Sequence, residues 1–186
     1  MGAIHLPFES QRRLIELSRM ALEGVVYGAT RQVGQVEDPY LLSSTYGSFV
    51  TLHKGTKLRG CIGTCFPTSP LYETVAEMTQ AAATQDHRFS SITKDEIHDI
   101  HIDISVLSPL ERALDPLSLI VGEHGLHVAN GEKKGVILPQ VATEYGWDIK
   151  TFLSQVCLKA DLPEDSWRGK DTQVSSFTTL IIEEGK

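Results

Sequence analysis

Ile100, Ile102, Ile104 and Val106 alternate with His101, Asp103 and Ser105, the sharpest periodicity in the chain. A two-residue period puts one set on each face of a strand. Elsewhere the period lengthens to that of a helix. Leu14, Leu17, Ala21 and Val25 predict a helix over residues 10–30, with Arg12, Arg13, Glu16, Arg19 and Glu23 on its polar side. Leu71, Val75, Met78 and Ala82 predict a second, with Ser69 as N-cap and Pro70 at the first helical position. It ends near residues 85–89. Ile149, Phe152, Leu153, Val156 and Ala160 predict a third, starting at Gly146 or Asp148, with Cys157 beside its core face.

Residues 49–52 have strand chemistry, residues 53–57 read as a hairpin turn, and residues 58–64 as the returning arm. Residues 126–129 and 135–138 flank a second turn. Residues 31–47, with Gly34, Asp38, Pro39 and Gly47, read as loop, and residues 174–182 as one closing strand. Hairpins mixed with helices, without regular βαβ alternation, predict an α+β fold: a largely antiparallel sheet with packed helices.

The chain has 186 residues, enough for one domain with a sizeable core, and a net charge of −7. That charge argues against a general nucleic-acid binder, because Lys54, Lys57 and Arg59 form the only basic cluster. No apolar run reaches the ~18–20 residues of a membrane span. The start of the chain lacks the pattern of a signal peptide. Three cysteines without framework spacing point to a reducing cytosol.

Neither a dinucleotide fingerprint nor a Walker pattern occurs, so no cofactor is expected. No metal centre is expected either. Cys61 and Cys65 lack a second ligand pair, and His98/His101 and His124/His127 would face opposite ways on strands.

The chemistry concentrates in Leu58-Arg59-Gly60-Cys61-Ile62-Gly63. On a strand, Arg59, Cys61 and Gly63 share one face, and Leu58, Gly60 and Ile62 the other. A guanidinium two residues from a thiol lies about 6.5–7 Å away along the backbone, close enough to favour thiolate. The glycines suggest close approach of a ligand or another backbone, or simply a β-bulge. A packing role for Cys61 stands beside the reactive one. Asp86, at a helix C-terminus, calls for a cationic partner, Arg88 or Arg59. His101 and Asp103 share a face, as an acid–base dyad or as a plain polar surface. Trp147 is either a binding aromatic or a staple for the start of the third helix.

The chain resembles the AMMECR domain family. The six-residue stretch matches the family's hallmark. Asp86-His87-Arg88-Phe89, Ile104-Ser105-Val106-Leu107-Ser108-Pro109 and Gly135-Val136-Ile137-Leu138-Pro139-Gln140-Val141-Ala142 resemble its further blocks. Gly125-Leu126, Trp147, Phe152-Leu153 and Cys157-Leu158-Lys159-Ala160 continue the match. The resemblance implies an α+β fold of two unequal lobes, with the hallmark lining a cleft between them. It also implies partners that are dioxygenase-fold and radical-enzyme proteins of a modification pathway. Ala160-Asp161 departs from the alanine-glycine that relatives tend to carry.

These readings converge on an enzyme-like protein with Cys61, Arg59, Asp86 and His87 as catalytic residues. Gly60, Gly63, Arg88 and Trp147 are the expected substrate-binding residues. Cys61 would be nucleophile or thiol ligand, Arg59 the anion or thiolate partner, and His87 or His101 a proton shuttle. The alternative is a non-catalytic binding module or scaffold that recognises a protein or nucleic-acid partner through the same cleft.

Overall fold

A computed structural model of the chain describes residues 4–28 and 36–185. Among these residues the order is α1 (Phe8–Tyr27), β1 (Gly47–Lys54), β2 (Lys57–Thr64), α2 (Leu71–Thr84), β3 (Ile100–Leu107) and β4 (Glu111–Arg112). Then follow β5 (Gly125–Asn130), β6 (Lys133–Ile137), α3 (Pro139–Glu144), α4 (Ile149–Lys159), β7 (Gln173–Phe177) and β8 (Thr179–Glu183). The fold is α+β. The strands form two four-stranded sheets, ordered β2-β1-β3-β8 and β4-β7-β5-β6. The chain divides into two compact units, one built on Ser108–Thr179 and the other on Ile4–Leu107 with the chain's end from Leu180.

In the unit that starts at Ile4, α1 and α2 cover one face of the first sheet. Leu14, Leu17 and Leu22 pack with Val75, Ala82, Val50, Leu52, Ile102 and Ile104. A buried Ser18–Thr79 hydroxyl pair at 2.7 Å joins the two helices. α1 ends at Tyr27, earlier than its apolar stripe suggests, because Gly28 takes a left-handed conformation (φ 69°) and returns its N–H to Gly24. Residues 29–30 of the predicted helix, and Gly34 of the predicted loop, lie outside the described residues.

The predicted Ser69 cap is not formed. Pro70 occupies the cap position without a side-chain bond, and the Thr74 hydroxyl donates to the carbonyls of Ser69 and Pro70 instead.

Both hairpins have longer arms and tighter turns than the sequence suggests. Lys54 pairs with Lys57 and Asn130 with Lys133. Gly55 (φ 60°) and Gly131 (φ 58°) supply the left-handed residue that such two-residue turns need. The predicted closing strand is two strands: β7 joins the second sheet and β8 the first, with the change at Thr178. The run is uniformly β-favouring, so propensity carries no trace of this change.

In the unit Ser108–Thr179, α4 packs Phe152, Leu153, Val156 and Cys157 against Leu126, Val128, Ile137 and Val174. Burial raises the Cys157 thiol, as befits a packing residue. Asp148 caps α4 by accepting the Thr151 N–H at 2.7 Å. Trp147 precedes that cap and its ring lies 6.3 Å from Phe152, one turn into the helix. This is a hydrophobic staple, the packing role that the sequence offers for Trp147. Tyr145 stacks on Trp147 at 5.1 Å. Just past the Ala160 cap of α4 lies Asp161, whose φ of 54° is the only positive value at a non-glycine residue among those described.

Candidate functional site

β2 is an edge strand whose other neighbour is β1. Their register slips once: Leu52 opposes Gly60, whereas His53 opposes Leu58, so Arg59 is an extra residue. This is a β-bulge, and it overturns the expected alternation. Leu58, opposite His53, now falls on the face of Cys61, opposite Thr51. Gly60 faces the helices. A Cβ there would come within 2.2 Å of the Ala82 carbonyl oxygen, so α2 is the close-approaching backbone that its lack of a side chain admits. A Cβ on Gly63 would meet the Phe49 ring at 2.2 Å, so that ring lies over the glycine.

The bulge also redirects Arg59. Its Nε and Nη2 donate to the two carboxylate oxygens of Glu96 at 3.1 and 3.0 Å. Nη1 and Nη2 donate to the carbonyls of Ser90 and Ser91 at 2.6 and 3.2 Å. The expected pairing of Arg59 with the Cys61 sulfur or with Asp86 is therefore not formed. Arg59 clasps the segment before β3. The same hydrogen bonds hold Glu96 down at about 2, against the opposing effect of burial.

Arg88 takes the place expected of Arg59. Asp86 is buried just past the end of α2, at 5 % exposure. Its carboxylate accepts the backbone N–H of Cys61 at 2.9 Å. It also accepts Nε and Nη2 of Arg88 at 2.9 and 2.7 Å, a bidentate pair. Arg88 Nη2 reaches back to the Cys61 carbonyl at 3.4 Å. Carboxylate and guanidinium thus hold both outward backbone groups of the edge strand at Cys61. The Arg88 hydrogen bonds keep Asp86 well below the usual carboxylate range, despite burial. Hydrogen bonds to Asp86 raise Arg88 in turn; burial opposes them, and the charges of Asp86 and of a Cys61 thiolate add to the rise. The Arg88 side chain remains 48 % exposed, and its Nη1 makes no hydrogen bond among the described residues.

Cys61 itself is half-buried and not in a disulfide. Its sulfur accepts the Thr51 hydroxyl at 3.4 Å. Thr51 is flanked on its other side by Asp103 of β3, so Cys61, Thr51 and Asp103 form one row across three strands. Asp103 Oδ2 lies 3.1 Å from His53 Nε2. His101 is exposed opposite His53. His87 is exposed and makes no hydrogen bond among the described residues.

Arg59, Gly60, Cys61, Gly63, Asp86, His87 and Arg88 all belong to the unit that starts at Ile4, whereas Trp147 belongs to the other. Among the described residues, no group of three or more His, Cys, Asp or Glu could hold a metal ion. Thr51 and His53 were not singled out by the sequence. Counting back from the turn pairs Thr51 with Gly60, and only the bulge moves it to Cys61.

The chain is similar to a protein of Methanothermobacter thermautotrophicus, 40 % identical over 179 residues that cover 93 % of both chains. A protein of Thermococcus onnurineus is 39 % identical over 181 residues, covering 92 % of this chain and 88 % of its own. Among solved structures, the uncharacterized protein PH0010 of Pyrococcus horikoshii superposes with a TM-score of 0.89 at 35 % identity, over 97 % of this chain and 94 % of that one. The AMMECR1 family model matches residues 15–182. The chain belongs to the AMMECR1 family.

Proposed function

We propose that the protein is an enzyme in which Cys61 is the thiol nucleophile and Arg88 binds an anionic group of the substrate. The observation that carries this reading is the bridge made by Asp86. It holds the Cys61 backbone and the Arg88 guanidinium at once, so a half-exposed cation is fixed against the backbone of the residue that carries the half-buried thiol. A thiol nucleophile reacts as its thiolate. The reaction class is a group transfer or modification, with attack of the sulfur on an electrophilic centre. A reducing cytosol keeps the thiol available for it. Partners from a modification pathway, of dioxygenase and radical-enzyme type, supply or consume the modified group.

The test is competitive labelling of the native protein by iodoacetamide at neutral pH, read by peptide mass mapping. Cys61 is expected to label ahead of Cys65, whose thiol burial raises to about 11, and faster than a free model thiol. Labelling no faster than the model thiol defeats the proposal.

A further inference from the structure

We infer that His53, held by Asp103, is the base that takes the proton from Cys61. The inference deepens the reading of Cys61 as a nucleophile and rests on it. β1 carries Thr51 and His53 on one face, two residues apart. Thr51 is directly opposite Cys61, so His53 is the diagonal neighbour of the thiol. Diagonal neighbours on one face are about 7–8 Å apart at the backbone, within reach of long side chains or one bridging water. His53 Nε2 lies 3.1 Å from Asp103 Oδ2, so the carboxylate sits where it can stabilise a protonated imidazole. Both side chains are about one-third exposed, at 30 % and 32 %, so a substrate or water can meet them.

In the step, the S–H bond breaks and its electron pair stays on sulfur. The proton passes to the imidazole, and the carboxylate of Asp103 stabilises the imidazolium. The Thr51 hydroxyl, 3.4 Å away, donates to the thiolate. The charged groups around His53 are few. β2 presents Cys61, with Arg88 at its carbonyl, and β3 presents His101 and Asp103. Lys54, next on β1, turns to Glu96 and Asp99 instead.

The test is the pH profile of Cys61 alkylation by iodoacetamide in the full chain, for wild type, His53→Gln, Asp103→Asn and His101→Gln. Wild type is expected to show an inflection that a free thiol lacks. His53→Gln should abolish that inflection and slow alkylation at pH 7 by about tenfold. Asp103→Asn, which leaves the imidazole in place, should displace the inflection, and it carries the test alone if His53→Gln does not fold. His101→Gln should match wild type. The inference is overturned if Cys61 outpaces a free thiol yet the His53 and Asp103 variants superimpose on wild type, or if His101→Gln moves the profile instead. A wild-type Cys61 no faster than a free thiol overturns the parent reading as well.

Discussion

The Asp86 carboxylate accepts the backbone N–H of Cys61 at 2.9 Å, although it sits at a helix end where the dipole disfavours negative charge. The bidentate Arg88 offsets that cost. Asp86→Ala leaves a backbone donor and a guanidinium without their acceptor. The expected loss of stability is about 2–3 kcal/mol, measured by urea unfolding. The pH dependence has a definite sign. Asp86 is depressed in the folded state, so its contribution is complete above the ordinary carboxylate range, about pH 4, and is lost as pH falls below it.

The Arg59–Glu96 clasp follows the same sign over a stated window. Glu96 falls from an ordinary 4.5 to about 2, so its stabilisation is present above pH 4.5 and is lost as pH falls toward 2. Glu96→Gln should flatten that part of the acid-unfolding curve. Arg59→Lys should destabilise almost as much as Arg59→Ala, because an ammonium cannot reproduce the two parallel bonds. Neither change should slow Cys61 alkylation by more than about twofold, since Arg59 is engaged away from the sulfur. One pK unit of lost thiolate stabilisation would slow it by about tenfold.

Gly60 is fixed by contact with α2. Gly60→Ala places a methyl within 2.2 Å of the Ala82 carbonyl oxygen, and neither backbone can yield cheaply. The expected cost is about 2 kcal/mol or more, read as a lowered midpoint of thermal unfolding.

Much of this architecture was legible in the chain. The strict alternation over β3, the stripes of α1, α2 and α4 and the need of Asp86 for a cation all follow from local chemistry. The hallmark stretch also located the thiol. Its glycines allowed a bulge but did not place one at Arg59. A bulge is a choice of register between two strands, and no residue type in the stretch demands it. That one extra residue sends Arg59 to Glu96, leaves Arg88 as the cation near Cys61 and brings Thr51 opposite the sulfur. The split of β7 from β8 was hidden for a similar reason, because both halves have the same strand-forming composition.

Asp161 offers a test in the other unit. Its left-handed φ of 54° follows the last turn of α4, where glycine is the residue of least cost. Asp161→Gly is expected to stabilise the protein by about 0.5–1 kcal/mol in urea unfolding. The Lys133 ammonium bond to the Asp161 carbonyl, at 2.6 Å, uses the backbone and survives the change.

The most direct measurement compares two alkylating agents at Cys61, anionic iodoacetate and neutral iodoacetamide, in wild type, Arg88→Gln and Arg59→Lys. With Arg88 as the anion-recognising cation beside a reactive thiol, wild type favours iodoacetate relative to a free thiol. Arg88→Gln abolishes that preference, and Arg59→Lys keeps it. A preference that survives Arg88→Gln, or one that disappears only with Arg59→Lys, contradicts the account.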